Sequence, residues 1–249
     1  LYREVCWCGI NDQVAHLRPV LTEDCVLEIV TFDELDGKKT FWHTASHLMA
    51  QAVKRLFPAV KCAIGPAIDT GFYYDFDTEK AFTTEDLAAI EAEMKKIVKE
   101  KPAIERFTLP VEEAIRLMEE KGEPYKVELI REHADKGEEI SFYRQGDFTD
   151  LCAGPHLMDL GVIKAFKLTA TTGAYWRGDS KNRQLSRIYG TAYPKASELE
   201  AYLKQVEEAK KRDHNVIGRQ LEYFTTVDVI GQGLPILLPK GARTIQVLQ

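Results

Sequence analysis

Residues 41–58 read Phe41-Trp42-His43-Thr44-Ala45-Ser46-His47-Leu48-Met49-Ala50-Gln51-Ala52-Val53-Lys54-Arg55-Leu56-Phe57-Pro58. Leu48, Met49, Ala52, Val53 and Leu56 recur at helical spacing. Pro58 closes the helix near Phe57, because proline drives the preceding residue out of helical geometry. At roughly 100° per residue, His43, His47, Ala50 and Lys54 gather opposite the apolar stripe. Two imidazoles four residues apart share a helix face and can reach one point in space. A histidine pair facing away from the core stripe borders either a cleft or bulk solvent, and this stretch alone leaves both open. A second pair with the same spacing, Cys152 and His156 in Cys152-Ala153-Gly154-Pro155-His156, makes a site plausible.

Outward from that helix, Thr84 to Lys99 reads as a second one, with Thr83 and Asp86 in capping-box spacing and Leu87, Ile90, Met94 and Ile97 as its stripe. A third runs from Val111 to Lys121 and stops at Gly122, and Pro124 opens a fourth. Strand-like runs occupy Ile104–Leu109, Ile140–Arg144, Ile163–Thr169 and Leu185–Tyr189. Helices interspersed with such strands predict an α+β fold with a largely antiparallel sheet packed by helices. Residues 1–34 read as short strands, Val26–Val30 the clearest, and Asp33–Lys39 as a polar linker. The block has no obvious beginning, so the chain is expected to be part of a longer protein. Pro194–Gly218 predicts one charged helix whose packing stripe is Leu199, Tyr202, Leu203 and Val206. The glycines of Gly231-Gln232-Gly233 have neither dinucleotide-fingerprint nor P-loop spacing, which gives no reason to place a nucleotide there.

With 249 residues, 45% hydrophobic and 29% charged, the chain can bury a sizeable core. No apolar run approaches the roughly 20 residues that span a bilayer, and the first residues lack signal-peptide design, so a cytoplasmic protein without membrane contact is expected. The five cysteines are an odd number, which argues against a disulfide framework. Cys6 and Cys8 form a lone Cys-x-Cys, weak evidence for a metal, while Cys25 and Cys62 read as core thiols. A net charge of −6 excludes coating nucleic acid through bulk positive charge. One local stretch differs: Lys164, Lys167, Arg177, Lys181, Arg183 and Arg187 with Tyr175 and Trp176 interleaved. It suits a nucleic-acid backbone with an unstacked base, or equally a solvated sheet face.

The quoted pairs stand with Gly65-Pro66, Gly71-Phe72-Tyr73-Tyr74-Asp75-Phe76, Asp150-Leu151 ahead of Cys152, Tyr175-Trp176-Arg177-Gly178-Asp179 and Ile188-Tyr189-Gly190-Thr191-Ala192. In this order they resemble the threonyl-tRNA synthetase family, and Leu21-Thr22-Glu23-Asp24 extends the resemblance to the N-terminal block. The resemblance implies the end of a β-grasp-like TGS domain over 1–34, a tRNA editing domain over 35–193, a linker helix over 194–219 and the beginning of a class II catalytic domain over 220–249. The family's ATP-binding motifs would lie downstream, so this stretch by itself would not aminoacylate. ATP, magnesium and a catalytic-domain zinc are implied for the full-length protein, and no cofactor for editing. Partners implied are the acceptor end of tRNA(Thr) and mischarged seryl-tRNA. The full-length protein would be a homodimer and this part a monomer.

Serine differs from threonine by one methyl, which binding discriminates by only about 1–3 kcal/mol, so a second, hydrolytic site is needed. The resemblance places that site on His43, His47, Lys126, Asp150, Cys152 and His156, with Tyr74 as a substrate contact. Lys126 and His43 are expected to position or activate water, Asp150 and Cys152 to hold the serine ammonium and hydroxyl, and His47 and His156 to shape the pocket. Arg177, Lys181 and Arg183 are expected to grip tRNA. Two alternatives stay open. His43, His47, Cys152 and His156 have the ligand types of a tetrahedral zinc site, as in the related alanyl-tRNA synthetase editing domain. The region could also be a tRNA-binding module without chemistry.

Overall fold

The computed structural model describes residues 4–248 except 12, 16–19, 228, 230 and 232, with backbone alone at 13–15. The elements in chain order are β1 (Val5–Ile10), β2 (Gln13–Ala15), β3 (Leu27–Thr31), α1 (Leu35–Leu56), β4 (Lys61–Cys62), β5 (Ala67–Ile68), β6 (Gly71–Asp77), α2 (Thr84–Glu100), β7 (Ile104–Thr108), α3 (Val111–Glu120), α4 (Pro124–Asp135), β8 (Ser141–Gln145), β9 (Phe148–Leu151), β10 (Ala165–Tyr175) and β11 (Gln184–Tyr193). Then follow α5 (Ala196–Lys211), α6 (His214–Gln220), β12 (Phe224–Thr226), β13 (Pro235–Leu237) and α7 (Pro239–Leu248). The chain divides into two compact units, Leu1–Ala196 and Ser197–Gln249. Among the described residues every strand pair is antiparallel, in line with the α+β reading.

The first unit is organised around α1, which lies against a five-stranded sheet containing the run β10-β11-β6-β4, with β5 on β6. Inward-facing Phe72, Tyr74 and Phe76 alternate along β6 and meet Leu48, Met49, Ala52 and Val53 of α1, all fully buried. Each large apolar side chain removed from water contributes roughly 1.5–3 kcal/mol, so this layer holds the unit together. Helix α2 adds Ile90, Met94 and Ile97 to the same core, and its capping box forms as read, Thr83 and Asp86 each bonding the other's backbone N–H. A smaller sheet, β7-β8-β9, packs with α3 and α4 around Ala114, Met118, Val127, Ile130, Ile140 and Phe142. The sheet β2-β1-β3 adjoins α1, and Phe32 just beyond it meets Phe41 and Trp42 edge-on.

Three features differ from the sequence reading. Helix α1 begins at Leu35, so Leu35–Lys39 is helix rather than linker. Gly37 permits this by close approach: a Cβ there would lie 1.7 Å from Thr31 O, so the first helical turn rests directly on the end of β3. Second, α1 is buried nearly all round, from Thr44 through Val53 without a break, so the face opposite its apolar stripe is a second interface and not a solvent face. Third, the single helix expected over 194–218 is two, because Asp213 caps α6 by accepting from Asn215 N. Within the second unit β12 and β13 form a hairpin, and Phe224 packs at Gly218 of α6. Gln232, in the glycine-rich loop noted above, lies outside the described residues.

Candidate functional site

Three elements converge on the non-stripe face of α1. Helix α1 supplies His43 and His47, β9 and the loop after it supply Asp150 and Cys152, and α4 supplies Lys126. These five residues line a cleft of about 350 Å³ together with Ile64, Gly65, Pro66, Leu129 and Ser141. The loop is held in place twice: Cys152 N bonds Ser141 O, and Ser141 Oγ donates to Cys152 O. Gly154 has φ +79°, and a Cβ there would sit 2.2 Å from Tyr143 Oη, so the chain can turn back toward α1 here only with glycine. That turn returns His156 to the histidine pair, with ring centroids 4.4 Å from His43 and 4.3 Å from His47.

The ligand atoms of His43, His47, Cys152 and His156 all lie within 4.8 Å of one another. Cys152 Sγ is 3.5 Å from His43 Nε2 and 3.2 Å from His156 Nε2. Thr44 fixes the tautomer of His156. Its Oγ donates its one hydrogen to Thr40 O and accepts from Leu157 N, so its 3.1 Å contact with His156 Nδ1 places the ring proton on Nδ1. The Nε2 lone pair of His156 therefore faces the thiol. Among the described residues this quartet is the one His/Cys/Asp/Glu group with metal-holding spacing, and Cys6 and Cys8 are buried within β1 instead.

Beside the quartet lies a buried ionic set. Lys126 Nζ is 2.5 Å from Asp150 Oδ1, Tyr74 Oη donates to Asp150 Oδ2 at 2.5 Å, and His47 Nε2 is 3.7 Å from the same oxygen. Lys126, Tyr74, Asp150 and His47 are all buried. Burial pushes His43 down to about 4, with Lys126 reinforcing and Asp150 opposing. His47 falls well below the usual histidine value through burial, then through His43 and Lys126. Burial pushes the Cys152 thiol up to about 12, against the Gly154 N–H that bonds its sulfur. At neutral pH His43 and His47 are therefore neutral imidazoles and Cys152 a neutral thiol, set beside the Lys126–Asp150 contact.

Of the residues expected at the site, His43, His47, Lys126, Asp150 and Cys152 line the cleft. Tyr74 is fully buried and reaches it through Asp150, and His156 stands behind Cys152. Arg177, Lys181 and Arg183 lie on the turn between β10 and β11 and do not line it. Most of the basic stretch is paired within the chain: Arg177 with Glu128 and Glu132, Arg183 with Asp77, Arg187 with Asp75, Lys167 with Glu91. Sequence reasoning missed Thr44 and Ser46. Ser46 Oγ donates to Gly65 O at 2.6 Å and so fixes the cleft wall to α1. Both hydroxyls lie inside His43–His47, and that spacing of small polar residues between two histidines was the available signal.

Residues 140–189 match the family described as "Threonyl and Alanyl tRNA synthetase second additional domain". The chain is 62% identical over 250 residues to a protein of Clostridium perfringens (strain SM101 / Type A) named threonine–tRNA ligase. It is 58% identical over 249 residues to one of the same name from Clostridium tetani, and 56% over 249 residues to one from Caldanaerobacter subterraneus subsp. tengcongensis. All of the chain aligns in each case, against 38%, 39% and 38% of the respective relative. It thus spans under two fifths of the length of these curated relatives. No helix among the described residues is long and apolar enough to cross a membrane.

Proposed function

We propose that this chain, which aligns along its full length with part of proteins named threonine–tRNA ligase, hydrolyses the ester joining serine to the terminal ribose of mischarged tRNA(Thr). The observation that carries this reading is the buried Lys126–Asp150 pair set beside neutral imidazoles and a thiol in one cleft. Attachment of threonine to tRNA(Thr) with ATP would belong to the longer protein.

The residues suit ester hydrolysis without a nucleophilic side chain. A thiol held near 12 is a hydrogen-bonding group and not a thiolate, so Cys152 is assigned to the serine hydroxyl. Asp150 offers its carboxylate to the serine ammonium, sharing it with Lys126. His43, a neutral imidazole at the cleft wall, accepts a hydrogen bond from water. With its value near 4 it is a weak base, so it orients water more than it deprotonates it. The water oxygen bonds to the ester carbon, the carbonyl electrons move to oxygen, and Lys126 N–H donors stabilise that oxyanion. Collapse breaks the bond to the ribose oxygen, which leaves with the proton lost by water. His47 and His156 hold the cleft's shape, and Tyr74 fixes the Asp150 carboxylate.

The test is single-turnover deacylation of seryl-tRNA(Thr). His43→Ala and Lys126→Met should each slow release at least about tenfold while tRNA binding stays intact. Loss of binding and hydrolysis in equal proportion would favour a binding module whose His/Cys cluster is structural.

A second reading rests on the quartet. Tetrahedral zinc with N and S ligands spaces its donor atoms by about 3.3–3.7 Å, and the two Cys152 contacts fall close to that range. The Nδ1–H of His156, bonded to Thr44, is the outer-shell arrangement that ligating histidines use. The four side chains, with donor atoms all within 4.8 Å of one another, have the ligand types to hold a zinc ion, which would polarise a bound carbonyl or water. Metal analysis of protein purified without chelator decides: near-stoichiometric zinc whose removal abolishes hydrolysis would replace the metal-free mechanism.

A further inference from the structure

We propose that the turn between β10 and β11 is a latch on α4, and that Trp176 and Arg177 are positioning residues for Lys126; this rests on the reading of the cleft as a hydrolytic site. Helix α4 carries two adjacent stripes. Lys126, Leu129 and His133 line the cleft, while Tyr125, Glu128 and Glu132, each one or two steps away on the helix, meet the hairpin turn. Whatever fixes the second stripe sets the rotation and height of the first.

The turn fixes it through several contacts. Trp176 is buried with Ala63 and Leu185, and Tyr125 and Leu129 of α4 pack against that cluster. The Tyr125 ring meets the indole edge-on at 5.0 Å, and Trp176 Nε1 donates to Glu128 at 3.2 Å. Arg177 Nη2 bonds Glu128 Oε1 at 2.7 Å and also pairs with Glu132, with its guanidinium 5.4 Å from the centre of the Trp176 ring. Arg177 reaches these carboxylates from φ +57°, a left-handed backbone that a non-glycine residue holds only when its surroundings impose it. A further tie joins the turn to the start of α4: Tyr125 Oη and Arg183 Nε both donate to Asp77.

Phosphate recognition explains these facts less well. Both of Arg177's partners belong to α4, so an RNA phosphate would have to displace two carboxylates. The cations of this stretch with no ion pair among the described residues are Lys164 and Lys181. Helix α4 also packs through Val127 and Ile130, so loss of the latch should shift the helix without unfolding it.

The test compares Arg177→Ala, the charge-preserving Arg177→Lys, and Lys181→Ala in the same protein. Two readouts are amide hydrogen exchange over 124–135 and single-turnover deacylation of seryl-tRNA. Arg177→Ala should speed exchange in α4 and lower the rate constant about tenfold, with half-saturation and its salt dependence within about twofold of the parent. Arg177→Lys should recover part of both, and Lys181→Ala should leave α4 exchange unchanged. In a Lys126→Met background, Arg177→Ala should add nothing to the kinetic loss, because its effect runs through Lys126. Unchanged α4 exchange overturns the latch, and additive kinetics with weaker, less salt-dependent tRNA binding would make Arg177 a phosphate ligand. Exchange needs no activity: if no variant or parent hydrolyses the ester, the reading of the cleft fails while the exchange result still decides the latch.

Discussion

The cleft floor and the β10–β11 turn both bring cations against carboxylates, one out of water and the other in it. Lys126 and Asp150 retain 4% and 3% of their side-chain exposure, whereas Arg183 and Asp77 retain 58% and 16%. Removing one member of a buried pair strands the other's charge in a medium that cannot solvate it; removing one member of an exposed pair hands its partner to water. The comparison shows that a run of basic residues does not identify the chemistry. The partner and the burial of each charge do.

The sharpest way to break the contrast is Asp150→Ala. It leaves the Lys126 ammonium and the Tyr74 hydroxyl buried without their acceptor, so urea unfolding should show a loss of about 3–5 kcal/mol. Replacing both partners, Lys126→Met with Asp150→Leu, should recover much of that stability while leaving no hydrolysis. A second probe is acid. His43 binds a proton near 6.5 when unfolded but near 4 when folded, so between those values the unfolded state binds more protons. Stability is complete above about 6.5 and should fall by a few kcal/mol on acidification toward 4, with no further loss from this group below that. His43→Phe should flatten this slope. The smallest effect belongs to the turn: Arg183→Ala should leave the unfolding midpoint within error of the parent, and a large shift would mean that the exposed pairs matter as much as the buried one.

Much of this architecture was legible along the chain. Helix α2 follows its apolar period and capping box, α3 ends just before Gly122 and α4 opens at Pro124 as read, and the quartet followed from two four-residue spacings. What escaped depends on contacts between distant segments. Gly37 reads as a turn residue until β3 is seen lying against it. The burial of α1 on both faces between Thr44 and Val53 could not be inferred from its own stripe, because Gln145 of β8 and Phe148 and Asp150 of β9 reach the histidine face only once the chain has folded back. The intramolecular role of the basic stretch was hidden for the same reason: Arg187 and Asp75 become partners because the β6–β11 register sets them opposite each other. Charge is written in the sequence; register is not.

The central claim, that the buried ionic set and the quartet together form a hydrolytic site for the seryl ester, is tested most directly by one ratio. Seryl- and threonyl-tRNA(Thr) are incubated with the chain, and the first-order release of each amino acid is compared with that of the Lys126→Met protein. The account predicts that release of serine exceeds release of threonine by at least about tenfold, and that Lys126→Met removes the difference. Equal release of both amino acids, or a serine preference that survives Lys126→Met, would contradict it.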